Sequence, residues 1–218
     1  HYMEIVIEIV IEIVIIKDKK EKSRMKRNTL IIVEGPQGVG KTTFTNYLRE
    51  NIASCDLHRL TGIKDKTKSG LEKVISRYKR EIEYIKQGTS CELPIMIYDR
   101  NFFTDEIYAR LGFKEYSFTT QYEYFLNQLD KVNLDIYLII LYLKDANLYK
   151  ERLQGRKKFE YQEFNLQSSI KQQEEYLKLA DEITKKTNNI KVIKFENDTE
   201  NGFEERVNNI FNNILKKN

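Results

Sequence analysis

The chain has 218 residues, with 37 Lys plus Arg against 33 Asp plus Glu and a formal net charge of +4. This length suits one α/β domain with a substantial core, and a charge so small and dispersed argues against nucleic acid as the main partner. The two cysteines, Cys55 and Cys91, have neither the number of a disulfide framework nor the spacing of a metal site, so we expect a reducing cytoplasm.

The amino-terminal segment is a four-residue repeat, which reads EIVI at residues 4–7, 8–11 and 12–15. Its β-branched residues favour a strand, and because it carries Glu and lacks a basic leader, neither a signal peptide nor a membrane span is predicted. One interpretation is that the repeat pairs with a sheet edge or with its copy in a homodimer. The other is a translated extension upstream of a native start at Met25. We therefore divide the chain into an extension and charged linker, residues 1–28, and one folded domain, residues 29–218.

The first predicted strand of the domain leads directly into a glycine-rich motif. Residues 29–33 are apolar without alternation, which predicts a strand buried on both faces, and residues 43–49 resume at helical spacing. Between them, GPQGVGKT at residues 35–42 matches the phosphate-binding pattern G-x-x-x-x-G-K-[ST]. Backbone N–H groups in such a turn, together with the helix N-terminus, attract a triphosphate. The nucleotide is expected to contact Gly35, Gln37, Gly38, Val39, Gly40, Lys41, Thr42 and Thr43.

Two side chains of this motif have predicted chemical roles. Lys41 is expected to reach the outer phosphates, and the Thr42 hydroxyl is expected to bind Mg²⁺. A chance match in a glycine-rich turn is the alternative, which the placement between a strand and a helix disfavours.

Strand-like and helix-like segments alternate through the rest of the domain, which predicts a parallel sheet covered by helices. Further strands are predicted at residues 95–98, 134–143 and 190–195, with a weak candidate at 55–60. Amphipathic helices are predicted at residues 70–86, 122–132, 162–183 and 203–215.

Two charged residues follow the predicted strand at residues 95–98. Ligands of parallel α/β sheets bind at the carboxyl ends of the strands. There the Asp99 carboxylate can hold Mg²⁺ or orient an acceptor, and the Arg100 guanidinium can bind a phosphate. A surface ion pair would be favoured for an isolated Asp-Arg, but the phosphate loop favours a role in the site.

A basic cluster follows the predicted strand at residues 134–143. Cations that close over a migrating phosphoryl group stabilise its developing charge. A solvated basic helix end is the alternative. The cluster comprises Lys150, Arg152, Arg156, Lys157 and Lys158.

Taken together, residues 30–215 resemble the thymidylate kinase and deoxynucleoside kinase superfamily. The resemblance rests on the order of VEGPQGVGKTTF, IMIYDRNFF, LDIYLIILYLKDANLYKERLQGRKK and EEYLKLADEI followed by KVIKF. It implies a three-layer P-loop NTPase fold, with a five-stranded parallel sheet in the order 2-3-1-4-5, helices on both faces and an arginine-bearing lid.

The resemblance also implies roles for individual residues. Arg59 is similar to the arginine that follows the second strand of thymidylate kinases, so Arg59 and Arg100 are expected to hold an acceptor phosphate. The phosphate loop has no arginine at its variable positions. The catalytic arginine is therefore expected in the lid, as Arg152 or, preferably, Arg156.

The nucleobase side of the predicted site is less well defined. Tyr108 lies where thymidylate kinases have the tyrosine of an Ala-Tyr-Gln segment, but Ala109 replaces the glutamine. Arg77 and Tyr78 occupy the region of the base-side helix. Tyr78 and Phe102 are candidates to stack on a base, although aromatic residues at helical spacing more often belong to the core.

The choice of acceptor depends on the end of the second strand. Deoxynucleoside kinases carry a glutamate base there, whereas this chain has Arg59, and an anionic acceptor needs cationic positioning more than deprotonation. Asp56 can still serve as a base, while His58 is interpreted as an ordinary, partly buried histidine.

The predicted function is therefore that of a Mg²⁺·ATP-dependent nucleoside monophosphate kinase, with dTMP as the first choice of acceptor and adenine bound near residues 195–199. The alternatives are a deoxynucleoside kinase and a non-catalytic nucleotide-binding regulatory or assembly module. The predicted partners are a small-molecule nucleotide and a second copy of the chain, with neither nucleic acid nor membrane.

Overall fold

Five parallel strands form one sheet in the computed structural model of the chain, which describes residues 28–90, 95–154 and 165–215. The strand order is β2-β3-β1-β4-β5, which confirms the predicted order. The strands are β1 Thr29–Glu34, β2 Cys55–Arg59, β3 Ile95–Asp99, β4 Asp135–Tyr142 and β5 Ile190–Glu196.

Helices cover both faces of this sheet. The described helices are α1 Lys41–Asn51, α2 Lys68–Gln87, α3 Phe102–Arg110, α4 Thr119–Asp130, α5 Asn147–Leu153, α6 Leu166–Lys186 and α7 Phe203–Leu215. Successive residues of a strand point to opposite faces, so Leu30 and Ile32 of β1 pack with α2, α3, α4 and α6. Ile31 and Val33 pack with α1, α5 and α7. These three layers confirm the predicted architecture.

The position of β1 in the sheet explains why its residues 30–33 are all apolar. Every residue of β1 is buried, because the strand lies between β3 and β4 and has helices above and below. The carboxyl end of this central strand opens directly into the phosphate loop. This arrangement fixes the position of the candidate site.

Helix α3 was not among the predicted elements. It begins directly after the Asp99-Arg100 pair, and the Asn101 side chain caps it by accepting a hydrogen bond from the Phe102 N–H at 2.8 Å. An asparagine at this position satisfies one of the unpaired N–H groups of the first turn. The helix thereby fixes the backbone that follows β3.

Two predicted segments lie outside the described residues. They are the repeat at residues 4–15 and the part of the basic cluster that contains Arg156, Lys157 and Lys158. The lid and the pairing of the repeat therefore stay predictions. None of the helices in the described ranges has an apolar stretch long enough to cross a bilayer.

Candidate active site

The phosphate loop joins β1 to α1. The last glycine of this loop occupies a position that has no room for a side chain. Gly40 has a φ of 101°, a left-handed conformation that strains residues with a Cβ. A Cβ at Gly40 would lie 2.5 Å from Asn197 Nδ2. That amide group donates a hydrogen bond to the Val39 carbonyl at 2.7 Å. The loop is therefore in close contact with the residue that follows β5.

Lys41, the first residue of α1, folds back over this loop. Its Nζ donates to the carbonyl oxygens of Gly35 and Pro36, each at 2.7 Å, and only 5% of the residue is exposed. A loop lysine in this position is placed to interact with the outer phosphates of a nucleotide.

Thr42 and Asp99 bring two oxygen ligands together across the loop. Thr42 Oγ1 lies 3.4 Å from Asp99 Oδ2, and Thr45 Oγ1 lies 3.5 Å from the same oxygen. A hydroxyl and a carboxylate fit Mg²⁺, which commonly binds one or two protein groups and completes its shell with substrate phosphates and water. The described residues contain no cluster of three or more His, Cys, Asp or Glu side chains that could hold a metal without a substrate.

Two arginines lie beside Asp99. Arg59 Nε is 3.5 Å from Asp99 Oδ2, and the same guanidinium donates to Asn46 Oδ1. Arg100 follows Asp99 directly, and its Nη1 donates to the Tyr108 hydroxyl at 3.3 Å. Both arginines line a cavity of about 580 Å³ together with Lys41, Thr42 and Asp99. The structure thus brings together these five residues, all of which the sequence singled out.

The far wall of this cavity consists of the segment after β2 and the residues of α3 and its C-terminal loop. The segment contributes residues 60–64 and Lys66, and the opposite side contributes Asp105, Tyr108 and Lys114. Lys64, Lys66 and Lys114 therefore add positive charge to that of the two arginines. Such a wall favours an anionic ligand.

Tyr108 is in the cavity, where the resemblance placed it, and it also contacts the phosphate loop. Gln37 Nε2 donates to the Tyr108 hydroxyl at 2.8 Å. The Gln37 backbone is held by helix α6, because its N–H donates to Gln172 Oε1 at 3.2 Å and its carbonyl accepts from Ser169 Oγ at 2.9 Å. These contacts join the phosphate loop to α3 and α6.

Three residues predicted to contact the base do not line the cavity. Phe102 is fully buried, with its ring stacked on Phe103 at a centroid distance of 4.2 Å. Tyr78 is 2% exposed and packs in the same core. The predicted stacking is therefore corrected, since core neighbours cover both rings. Arg77 donates to the Thr61 carbonyl and supports the cavity wall from behind.

Asp105 is a cavity residue that the sequence interpretation missed. It is 4% exposed, and its Oδ2 accepts a hydrogen bond from the Tyr78 hydroxyl at 2.6 Å. Burial raises the pKa of this carboxyl, although the Tyr78 hydroxyl and the nearby Lys114 and Arg77 act in the opposite direction. Asp105 belongs to the unpredicted helix α3, so the sequence offered no signal that it faces the site.

Glu34 was missed for a different reason. It is the last residue of β1 and is fully buried, and burial raises the pKa of its carboxyl to about 7 against the opposing effect of its hydrogen bonds and of Arg100 and Lys41. A glutamate beside a glycine-rich loop is not part of the loop pattern. Only the fold reveals its partners.

Arg152 does not line the cavity that contains Arg59 and Arg100; it contacts the phosphate loop and the segment after β5. Its Nη1 donates to the Val39 carbonyl at 3.2 Å, and its Nη2 donates to the carbonyls of Asn197 and Asp198 at 2.8 and 3.1 Å. It therefore adjoins the segment where adenine was predicted to bind. Arg156, the preferred catalytic arginine, lies outside the described residues.

No protein-family model matches the sequence, and no curated protein matches it. Several solved structures do match the chain. YorR of Bacillus subtilis, in complex with phosphorylated GDP, matches with a TM-score of 0.58 at 22% identity, over 86% of this chain and 96% of that one. Deoxyadenosine kinase of M. mycoides matches with a TM-score of 0.57 at 16% identity, over 85% and 100% of the two chains. The chain has a P-loop kinase fold.

Thymidylate kinase of Candida albicans matches with a TM-score of 0.54 at 17% identity, over 86% of this chain and 92% of that one. Both branches of the resemblance seen in the sequence thus share this fold. At these identities the likeness is one of fold, and the function must be argued from the site.

Proposed function

We propose that this protein is a Mg²⁺·ATP-dependent kinase that phosphorylates a nucleoside monophosphate. The observation that carries the proposal is the placement of Arg59 and Arg100 beside Asp99, in the cavity that adjoins the phosphate loop. Two guanidinium groups at this point suit an acceptor that already carries a phosphate. The P-loop kinase fold of the neighbours supports a phosphotransferase in general.

In the proposed reaction, an oxygen of the acceptor phosphate attacks the γ-phosphorus of ATP. The bond from that phosphorus to the β–γ bridging oxygen breaks, and the products are ADP and a nucleoside diphosphate. Lys41 and the loop N–H groups hold the donor phosphates, and Arg59 and Arg100 orient the acceptor. Because the chemistry needs little covalent help, positioning and charge stabilisation provide most of the rate enhancement. Thr42 and Asp99 would hold Mg²⁺, which neutralises charge on the donor phosphates when bound.

The nucleoside alternative needs a base near the end of β2, and Asp56 was the candidate. Its carboxylate lies 2.7 Å from His58 Nε2 and accepts a hydrogen bond from the Tyr84 hydroxyl at 2.6 Å. None of these three residues lines the cavity. This placement supports the monophosphate acceptor over a nucleoside.

The acceptor base has two candidates. The sequence resemblance suggests thymine, and hence dTMP. The buried carboxylate of Asp105 instead favours a base with an exocyclic amino group, because adenine, cytosine and guanine present such donors. Thymine has no exocyclic amino group, and its one ring donor, N3–H, lies between two carbonyl oxygens.

The proposal is tested by measuring ADP release from Mg²⁺·ATP with each nucleoside and nucleoside monophosphate in turn. We expect one or a few monophosphates to stimulate ADP release, and nucleosides to have no effect. In Lys41→Ala this turnover should be lost, whereas Lys178→Ala, which changes an exposed lysine on α6, should retain it. The stimulating monophosphate also decides between dTMP and an amino-bearing base.

Two results would contradict the proposal. Turnover with nucleosides alone would identify a nucleoside kinase. ATP binding without turnover on any acceptor would favour the regulatory or assembly module.

A further inference from the structure

The buried carboxylate of Glu34 connects three elements around the candidate site. Glu34 Oε1 accepts a hydrogen bond from the Asn101 N–H at 2.6 Å. Glu34 Oε2 accepts from the Thr104 hydroxyl at 2.7 Å and from the Tyr176 hydroxyl at 3.0 Å. The end of β1, the start of α3 and the middle of α6 therefore meet at one side chain.

This contact surrounds an unusual backbone turn. Arg100 has a φ of 74°, a left-handed conformation that is unfavourable for a residue other than glycine. The Arg100 N–H donates to the Val33 carbonyl at 3.0 Å, and the next N–H, that of Asn101, donates to Glu34. Strained residues persist only where their surroundings fix them. Val33 and Glu34, the last two residues of β1, therefore fix the backbone N–H groups of Arg100 and Asn101.

The turn determines where the Arg100 guanidinium points. With the backbone held on β1, the side chain enters the cavity and reaches the Tyr108 hydroxyl. Without the Glu34 contact, the Asn101 N–H would be buried and unpaired, and the turn would be free to relax toward a right-handed conformation. That change would redirect the guanidinium.

We infer that Glu34 is a positioning residue, which holds the Arg100 turn against the phosphate loop so that the acceptor-side guanidinium faces the donor phosphates. Its effect on turnover rests on the proposed function, whereas its effect on the backbone does not. Glu34 does not line the cavity, so it acts through Arg100 and not on a substrate.

The kinetic test compares three variants. Glu34→Ala removes both oxygens, and we expect KM for the acceptor to rise at least about tenfold, because a displaced Arg100 guanidinium would lose its charge-assisted hydrogen bonds to the acceptor phosphate. KM for ATP should stay within about threefold, since the loop N–H groups and Lys41 remain. Glu34→Gln should rescue the acceptor KM to within about threefold, because its amide oxygen can accept from Asn101 while its NH₂ donates to the two hydroxyls.

The third variant, Glu106→Ala, is the matched control. Glu106 is also a fully buried carboxylate on this side of the sheet, but it bonds Arg110 and Thr119 and does not line the cavity. It should lower the melting temperature without raising the acceptor KM. Equal acceptor KM values in Glu34→Ala and Glu106→Ala would overturn the inference, as would a failure of Glu34→Gln to rescue.

Amide hydrogen exchange provides a second test that needs no activity. In Glu34→Ala the Asn101 amide should exchange at least about tenfold faster than in the wild type, while the amides of β4 should be unchanged. If Glu34→Ala does not fold, the same comparison is made with Glu34→Asp, whose shorter side chain cannot reach Asn101 and Thr104 together. Unchanged exchange at Asn101 would overturn the inference. A wild type that is inactive on every acceptor would refute the proposed function alone.

Discussion

At the scale of single residues, Gly40 determines whether the phosphate loop can form. Gly40→Ala introduces strain at a φ of 101° and a clash with Asn197 Nδ2 at 2.5 Å. Left-handed strain alone costs about 1–2 kcal/mol. The clash should in addition separate Asn197 from the Val39 carbonyl and distort the loop. We expect Gly40→Ala to lose ATP binding, measured by calorimetry with a non-hydrolysable analogue.

Gly112 offers a matched control for this substitution. It has a φ of 74°, and a Cβ built on it meets nothing within 4 Å. Gly112→Ala should therefore lower the free energy of unfolding by the strain alone and leave nucleotide affinity unchanged. Equal affinities in the two variants would show that the contact with Asn197 does not shape the loop.

The Glu34 carboxyl makes folding stability depend on pH. Its pKa is raised by burial to about 7 in the folded protein, from an ordinary value of 4.5. Between these values the folded state binds the proton and the unfolded state does not. The free energy of unfolding should therefore fall as pH rises from about 4.5 to about 7, by on the order of 3 kcal/mol in total.

This dependence is measured by denaturant unfolding of the wild type and Glu34→Gln at pH 5 and pH 7.5. The charged and titratable groups that face Glu34 are Lys41, Arg100, Tyr78 and Tyr176. All of them are retained in the variant, so the difference between the two pH profiles isolates Glu34. Parallel profiles would contradict the assignment of a raised pKa.

At the scale of elements, the two arginines of the basic cluster are predicted to act differently. Arg152, at the end of α5, bonds the carbonyls of Val39, Asn197 and Asp198. It therefore supports the donor side of the loop, and Arg152→Ala should mainly raise KM for ATP. Arg156 remains the proposed catalytic arginine of the lid, so Arg156→Ala should mainly lower kcat. Steady-state kinetics measure kcat and KM for ATP in both variants. An unchanged kcat in Arg156→Ala would contradict a catalytic role for Arg156.

Helix α3 shows which elements the sequence could not predict. Amphipathic helices such as α2 were predicted because their apolar residues recur on one face. In α3 every residue from Phe102 to Tyr108 is buried, so polar residues such as Asp105 and Glu106 lie inside and no apolar stripe appears. The β2 strand gave a weak signal for the opposite reason, since it is a half-exposed edge strand with Asp56, His58 and Arg59.

The candidate site likewise contains some residues that the sequence could predict and others that it could not. Its phosphate loop and Asp99-Arg100 pair were predictable, because a continuous motif and a strand end are local features. The partners of Glu34 were not, since Tyr176 lies 142 positions away in the chain. Nor was the burial of Tyr78 and Phe102, which depends on how α2, α3 and α4 pack together.

At the scale of the whole molecule, the role of the amino-terminal repeat can be separated from catalysis. Among the residues that the structure describes, those that line the site begin at Gln37, so we expect deletion of residues 1–24 to leave kcat and KM unchanged. If the repeat pairs with a second chain, the deletion should also reduce the oligomer to a monomer. Light scattering and kinase assays on both chains measure the two effects, and a loss of activity in a deleted chain that remains folded would place the repeat in the catalytic machinery.

The position of β1 at the centre of the sheet has a consequence for synthesis of the chain. The motif leaves the ribosome before β3 and β4 do, but β1 pairs with both of these strands, with Ile95 and Asp135 opposite Thr29. The loop then gains its contact with Asn197, 158 positions after Val39. Parallel pairings between distant segments form late and slowly. A nascent or truncated chain that ends before β5 therefore carries the complete nucleotide motif without the contact that shapes it, and we expect its exposed apolar strands to bind chaperones until β5 has been added.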